Sequence, residues 1–168
     1  MKMFRQVTLP EPIRGRLYLH SMPGREEAFA EFLSDAGRVN LDLVVCLASE
    51  TEIQGRSPSY SAARAAQTLP FPVRNFPIED YGVPSEEEMG AFEELVSHIS
   101  GELRSGRVVL IHCKMGIGRT GTVATCVLLE LGLDAATSRQ RVRMAGSSAE
   151  VPAQKNLVVR YSSRLGRP

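Results

Sequence analysis

The sequence predicts an α/β fold, with one domain built on a central, mostly parallel sheet of four to five strands and with helices on both faces. Four apolar stretches typical of strands alternate with segments of helical periodicity, which favours parallel strands joined by helices. The chain has 168 residues, 43% of them hydrophobic, which suffices for one core and leaves no room for a second domain. The predicted strands cover residues 17–20, 42–47, 73–76 and 107–111.

We expect this domain to cover residues 1–168, with less order at its ends. Residues 1–12 lack sustained periodicity and are expected to form a loosely docked arm, and residues 166–168 are expected to fray. Residues 49–68 are interpreted as a loop before a short Ala-rich helix, because Gly, Ser and Pro punctuate them. This loop is expected to form one wall of the functional pocket.

The helix predicted after residue 84 has the clearest pattern. Ser85 and Glu88 have the spacing of a capping box, in which each side chain binds a backbone N–H of the first turn. Apolar residues recur at helical spacing from Met89 to Leu103, and Gly106 ends the helix. The fourth predicted strand follows directly.

Three more helices are predicted after the fourth strand. The first covers residues 119–131, and Asp134 has the position of an N-cap for a second helix near residues 135–145. Pro152 suits the first turn of a final helix, where its missing N–H costs nothing.

The fourth strand runs directly into the loop His112-Cys113-Lys114-Met115-Gly116-Ile117-Gly118-Arg119-Thr120-Gly121. A cysteine acts as a strong nucleophile only as a thiolate, so it needs positive surroundings. Backbone N–H groups of residues 114–119, followed by a helix N-terminus, would form a positive concavity around the sulfur. This spacing is typical of a loop that holds phosphate.

Other residue types in this loop suit the same chemistry. Gly116 and Gly118 permit turns and close approaches that a side chain would block. Arg119 offers a planar fork for two phosphate oxygens. Thr120 can donate its hydroxyl to the sulfur, while His112 is expected to orient the loop from behind rather than act as a base. A buried turn with an incidental cysteine is the alternative.

The segment from His112 to Gly121 resembles the signature loop of the cysteine-dependent protein tyrosine phosphatase superfamily, in the His-Cys-x5-Arg-Thr form of its compact dual-specificity branch. A weaker likeness extends from Arg16 to the region of Gln154. The resemblance implies a dual-specificity phosphatase-like fold and phosphomonoester hydrolysis through a phosphocysteine on Cys113. The implied phosphate-binding loop comprises His112, Lys114, Met115, Gly116, Ile117, Gly118 and Arg119.

Such an enzyme needs a proton donor for the leaving group, and the family carries it on an upstream loop. Residues 76–84 form a loop bounded by Pro and Gly, where closing lids are often found. Asp80 matches the family pattern Ile-x-Asp-aromatic-x-x-Pro once a one-residue shift around Glu79 is allowed. Asp80 is therefore the expected general acid and base, with Glu79 or an ordinary solvated acidic turn as alternatives.

Gln154 is a further candidate for catalysis. It lies near a helix start that resembles the one some small dual-specificity enzymes place over the signature loop. There it would orient the water that hydrolyses the phosphocysteine, with Asp80 now acting as base. A solvated helical glutamine is the alternative.

The three cysteines form neither a disulfide framework nor a zinc site. Cys46 and Cys126 are expected to be buried structural thiols, with a reversible disulfide to an oxidised Cys113 as the alternative. We expect no metal and no cofactor, since the arginine and loop amides supply the positive field. A reducing, cytoplasmic location is expected.

Charge and hydropathy limit the possible partners. The net charge of +1 argues against nucleic-acid binding. No apolar run has the roughly 18 residues of a membrane span. Lys114, with Arg25, Arg56 and Arg74 in loops nearby, leaves polyanionic substrates open, although solvated surface charge is the alternative.

We therefore expect a monomer that acts on a phosphorylated protein or peptide. The alternative substrates are phosphoinositides or inositol polyphosphates, since some phosphatases of those compounds share a His-Cys-Lys start. A non-catalytic phosphate-binding module is the third hypothesis.

Overall fold

The computed structural model describes residues 4–168, which form a five-stranded sheet with helices on both faces. The strands are β1 (Arg5–Val7), β2 (Arg16–His20), β3 (Leu43–Cys46), β4 (Val73–Asn75) and β5 (Val108–His112). The helices are α1 (Phe29–Val39), α2 (Glu50–Arg56), α3 (Pro58–Ala65), α4 (Met89–Arg104), α5 (Gly118–Glu130), α6 (Ala135–Met144) and α7 (Pro152–Arg164). The α/β fold class predicted from the sequence is confirmed.

The last strand in the sequence, β5, is the central strand of the sheet. The strands lie in the order β1-β2-β5-β3-β4. All neighbouring pairs are parallel except β1 and β2, which are antiparallel. The carboxyl ends of β2, β3 and β5 therefore meet at one edge, where ligands bind in open sheets of this kind.

The residues of β5 pack alternately into two cores, because successive strand side chains point to opposite faces. Val109 and Ile111 pack with the buried faces of α4, α5 and α7. Val108 and Leu110 pack with Phe32 of α1 on the other face. Burying each such side chain contributes about 1.5–3 kcal/mol, so both cores fix the strand that leads into the loop.

The predicted helices of the second half are present. Ser85 and Glu88 form the expected capping box around a short 3₁₀ turn, and α4 follows it. Asp134 caps α6 by accepting a hydrogen bond from the Thr137 N–H, and Pro152 stands in the first turn of α7. The boundaries of α5 to α7 agree with the predicted ones to within a residue or so at their N-termini.

Residues 49–68 differ from the prediction, because α2 replaces most of the expected loop. Ser49 accepts a hydrogen bond from the Glu52 N–H, and the Glu52 side chain in turn binds the Ser49 N–H. This capping box starts the helix, while Ile53 is its one buried residue. A helix this short shows no apolar periodicity in the sequence.

The expectation of a loosely docked N-terminal arm is wrong for residues 5–7. β1 pairs with β2, with Arg5 opposite Leu19 and Val7 opposite Leu17, and the Val7 side chain is buried. Residues 1–3 of the expected arm lie outside the described residues.

The chain end at residues 166–168 is held in place rather than frayed. The Ala135 N–H donates to the Pro168 carbonyl at 2.8 Å, and the Arg167 N–H donates to the Ser162 carbonyl at 2.9 Å. Across residues 4–168, the helices are all too short or too polar to cross a membrane.

Candidate active site

Cys113 follows β5 directly, and two hydrogen-bond donors face its sulfur. The Thr120 hydroxyl lies 3.1 Å from Sγ, and the Gly116 N–H donates to Sγ at 3.3 Å. The Cys113 side chain is 2% exposed, so few waters compete for the sulfur. Donors of this kind stabilise a thiolate more than a thiol.

Gly116 allows the loop to turn beneath the sulfur. Its φ is +74°, a conformation that costs glycine little and other residues more. A Cβ at this position would overlap the His20 carbonyl at the end of β2. The loop therefore packs against the backbone of β2, and no side chain fits there.

His112 supports the loop from inside the protein. Its Nδ1 lies 3.0 Å from the Cys113 carbonyl, and its Nε2 lies 2.9 Å from the Tyr60 hydroxyl. A carbonyl only accepts hydrogen bonds, so Nδ1 carries the proton and Nε2 accepts from Tyr60. Burial lowers the pKa of His112 to about 3. The ring is therefore neutral at pH 7 and acts as a spacer of fixed orientation.

Arg119 is 2% exposed, and Glu52 holds its guanidinium in a bidentate ion pair. Arg119 NH1 donates to Glu52 Oε2 at 3.0 Å, and NH2 donates to Oε1 at 2.8 Å. NH1 also donates to the Ile78 carbonyl at 2.8 Å. Because several acceptors share one guanidinium, its plane has a fixed orientation at the mouth of the loop.

Sequence reasoning missed Glu52 as a site residue. The capping box with Ser49 fixes the first turn of α2 and aims the Glu52 carboxylate at Arg119. The capping-box spacing was visible in the sequence. The partner of Glu52, Arg119, lies 67 positions away and could not be inferred from that spacing.

We expect Glu52→Gln to lower kcat/KM by about tenfold or more. The substitution weakens the ion pair that orients the Arg119 guanidinium, and small misplacements of such a group are costly. The amide keeps an oxygen for the Ser49 N–H, so the melting temperature should change little. Glu50→Gln is the matched control, since Glu50 lies in the same helix and pairs with Arg64 instead. Equal activity losses in the two variants would contradict a specific role for Glu52.

The structure brings Asp80, rather than Glu79, to the loop of residues 112–119, the predicted phosphate loop. Asp80 Oδ1 lies 3.1 Å from Arg119 NH2, and Oδ2 forms an ion pair with Lys114 Nζ. The Asp80 side chain is 35% exposed. Glu79 is exposed and makes no ion pair among residues 4–168. Asp80 thus spans the mouth of the loop between two cations.

Gln154 lies buried beside this loop. Its Oε1 accepts a hydrogen bond from the Glu150 N–H at 2.9 Å, and its Nε2 donates to the Gly82 carbonyl at 3.3 Å. A Cβ on Gly118 would lie 3.2 Å from Gln154 Oε1. Gln154 therefore connects α7, the Asp80 segment and the phosphate loop.

The remaining polar candidates lie away from the sulfur. Arg25 pairs with its neighbour Glu26, and Arg56 and Arg74 make no hydrogen bond to residues 112–119 within the described part of the chain. Of the candidate cations, only Lys114 reaches the loop's mouth.

Cys46 and Cys126 are buried thiols. Burial raises the pKa of Cys46 to about 11, and it raises the pKa of Cys126 further. A protonated, buried thiol is a poor nucleophile. No cluster of three or more His, Cys, Asp or Glu side chains suited to a metal ion occurs between residues 4 and 168.

The chain is similar to a known protein family and to curated proteins. Residues 13–163 match the model of the Swiss Army Knife protein DSP-PTPase phosphatase domain, PTP-SAK. Two uncharacterized proteins of Methanocaldococcus jannaschii are 31% identical over 93 residues and 30% identical over 103 residues. These alignments cover 55% and 58% of this chain and 61% and 62% of the relatives. The chain thus spans about three fifths of the length of these relatives.

Solved phosphatase structures share the fold over nearly the whole chain. A kinase associated phosphatase superposes with a TM-score of 0.78 at 18% identity, covering 99% of this chain and 98% of that one. A mutant form of Tk-PTP gives 0.71 at 27% identity, with 96% of both chains covered. PTPMT1, solved in complex with PI(5)P, gives 0.69 at 13% identity, covering 89% and 92%.

The match to the family model covers most of the chain and includes the loop, the Asp80 segment and α7. The structural neighbours extend the likeness to the fold of nearly the whole chain. The protein therefore belongs to the DSP-PTPase family, the compact dual-specificity branch of the cysteine-dependent protein tyrosine phosphatases.

Proposed function

We propose that this phosphatase hydrolyses phosphotyrosine, and additionally phosphoserine or phosphothreonine, in proteins through a phosphocysteine on Cys113. One observation carries the proposal: the Cys113 sulfur, the Arg119 guanidinium and the Asp80 carboxylate converge on one loop. A nucleophile, an oxyanion binder and a proton donor are the groups that a two-step phosphoryl transfer requires.

In the first step, Cys113 Sγ attacks phosphorus, the S–P bond forms and the P–O bond to the leaving group breaks. Arg119 and the loop N–H groups bind the equatorial oxygens, whose charge grows in the transition state. A bound phosphate replaces Asp80 as the hydrogen-bond acceptor of Arg119 NH2. Once released from Arg119, Asp80 takes up a proton from solvent, and in this protonated form it donates the proton to the departing oxygen.

In the second step, water attacks phosphorus, and Cys113 leaves as a thiolate. Asp80, now ionised, accepts the proton of the attacking water. The Thr120 hydroxyl stabilises the departing sulfur. Gln154 is proposed to orient this water, since its amide lies buried beside the loop and already binds the Asp80 segment at Gly82.

We expect Asp80→Asn to slow hydrolysis of a phosphate ester with a poor leaving group by about 10²–10⁴-fold, the usual cost of losing a general acid. Esters of acidic phenols should be affected much less, because their leaving groups need no proton. The measurement is kcat/KM for a series of aryl phosphates that differ in the acidity of the leaving phenol, because kcat/KM reports formation of the phosphocysteine and not its later hydrolysis, in which Asp80 also acts.

Glu79→Gln is the matched control, because the neighbouring carboxylate lies outside the ion-pair network of the site. It should behave like the wild-type protein across the whole series. A uniform loss in kcat/KM for Asp80→Asn over all aryl phosphates would show structural damage instead of a lost proton donor.

The exposed side chains around the site favour an aromatic phosphoester in a protein as the substrate. Tyr81 and Met115, next to the acid and next to Lys114, are 61% and 44% exposed. Both are large apolar side chains beside a polar pocket, a pattern typical of recognition surfaces. They provide apolar contacts for a phosphotyrosine ring and for the flanking peptide.

Inositol polyphosphates or phosphoinositides are the second candidate substrates, because Lys114 adds a cation at the mouth of the loop. A structural neighbour, PTPMT1, was solved with PI(5)P, although the likeness concerns the fold alone. Two observations weaken this candidate. Lys114 is paired with Asp80, and the loop's central position is the apolar Ile117.

The deciding experiment compares kcat/KM for a phosphotyrosine peptide, a phosphothreonine peptide and an inositol polyphosphate. EDTA and a thiol reductant are present, and Cys113→Ser serves as the blank. A preference for either peptide supports the proposal. A tenfold advantage of the inositol compound, equal to about 1.4 kcal/mol in the transition state, assigns Lys114 to substrate recognition and overturns the proposal.

A further inference from the structure

Arg5, on the N-terminal strand β1, contacts the rear of the phosphate loop, the side that faces away from Cys113 Sγ. Its NH2 donates to the Gly116 carbonyl at 2.6 Å. Its NH1 donates to the Ala145 carbonyl at 2.8 Å and to Ser147 Oγ at 2.9 Å. The guanidinium is thus fixed at both ends, between the loop and the segment after α6.

The Gly116 carbonyl has a second donor on the same side. The buried Ser147 hydroxyl also donates to it. Both donors lie behind the loop, while the Gly116 N–H points forward to Cys113 Sγ. The carbonyl is therefore held away from the side on which substrate binds.

The orientation of this carbonyl determines what the loop offers to phosphate. The Gly116 carbonyl and the Ile117 N–H belong to one planar peptide and point in opposite directions. Fixing the oxygen at the rear turns the Ile117 N–H to the front. No residue from 4 to 168 accepts a hydrogen bond from this N–H, so it is free for a phosphate oxygen.

Glycine makes this orientation reversible. With φ at +74°, Gly116 has the conformational freedom that would let the following peptide rotate. A rotated peptide would direct a carbonyl oxygen at the thiolate and at the phosphate, and both are negatively charged. The loop thus needs an external restraint at this point.

We propose that Arg5 is a positioning residue of the phosphatase, which holds the Gly116–Ile117 peptide with its N–H towards the substrate phosphate. The inference rests on the proposed function of the loop. Arg5 also places a positive charge behind the nucleophile. Burial lowers the pKa of Arg5, while the nearby Cys113 and Glu26 charges oppose this shift.

The test measures the affinity for tungstate, an oxyanion probe, together with kcat and KM on a phosphotyrosine peptide. Arg5→Ala is expected to bind tungstate about 10–100-fold more weakly, because it loses the charge-assisted hydrogen bond that orients the Gly116–Ile117 peptide. kcat/KM should fall by a similar factor. Arg5→Lys keeps the charge and one donor nitrogen but loses the planar fork, so it should recover part of both losses.

Arg141→Ala is the matched control. Arg141 ties the same N-terminal segment to α6 through the Thr8 carbonyl at 3.2 Å, without contact to the loop. It should retain tungstate affinity. If Arg141→Ala lost as much affinity as Arg5→Ala, docking of the segment would be the cause, and the proposed role of Arg5 would be wrong.

Two further results separate this inference from the proposed function. If the wild-type protein shows tungstate binding and Cys113-dependent turnover, while Arg5→Ala and Arg5→Lys match it, only the inference on Arg5 is overturned. If the wild-type protein shows neither property, the proposed function itself fails. Should Arg5→Ala not fold, an Arg5→Lys variant of normal melting temperature with weakened tungstate binding still supports the inference, and one with unchanged binding overturns it.

Discussion

Cys113→Ser is expected to abolish turnover while leaving oxyanion binding in place. A serine hydroxyl is far less nucleophilic than a thiolate, and among residues 4–168 the hydrogen-bond partners of the Cys113 side chain are the Thr120 hydroxyl and the Gly116 N–H, neither of which is a base. The neutral His112 faces the Cys113 carbonyl, not the sulfur. Turnover should therefore fall by at least about 10³-fold, since loss of the nucleophile costs other hydrolases more than that.

The measurement is the steady-state rate on a phosphotyrosine peptide, combined with tungstate binding to the same preparation. Arg119 and the loop amides remain in the serine variant, so binding should stay within a fewfold of the wild-type value. Cys46→Ala provides the matched control, as Cys46 is a buried thiol outside the loop. Normal turnover by Cys113→Ser would exclude a phosphocysteine mechanism.

Arg119→Ala is expected to lose both binding and turnover. Removal of a single oxyanion donor costs an enzyme about 10²–10³-fold, and Arg119 supplies two donors together with a charge. A decrease in kcat/KM of about 10³-fold or more is therefore expected. The variant also leaves Glu52 without the partner that balances its charge, which adds a negative carboxylate near the phosphate.

Arg119→Lys distinguishes geometry from charge. A lysine keeps the charge but cannot form the planar fork, so it should remain well below the wild-type rate. Arg64→Ala is the control, because Arg64 binds Glu50 in a similar bidentate manner, at 2.9 and 2.7 Å, outside the loop. Tungstate binding by Arg119→Ala at the wild-type level would remove Arg119 from the proposed site.

The part of the site that could be predicted is the part that is contiguous in sequence. The loop from Cys113 to Thr120 has its donors and its nucleophile within eight residues, so spacing alone suggested its role. Asp80 was suggested by the resemblance of its own segment to a family pattern, and it lies at the mouth of this loop. Neither inference required knowledge of the fold.

Glu52 and Arg5 could not be inferred in this way. They act on Arg119 and Gly116 across 67 and 111 positions, and only the packing of the sheet brings them there. Their local patterns were also weak. β1 has three residues, which is too short for an alternation to be recognised, and α2 shows a single buried side chain.

The position of β5 has a consequence for synthesis and folding. β1 and β2 can pair early, as can β3 and β4, but these two pairs have no contact within the sheet until β5 lies between them. Closing the sheet therefore depends on pairing of β5 with β2 across about 90 positions, and such non-local pairing slows folding. β5 also leads directly into Cys113. The strand that joins the two halves of the sheet thus also positions Cys113, so the loop takes its place only when the sheet is closed.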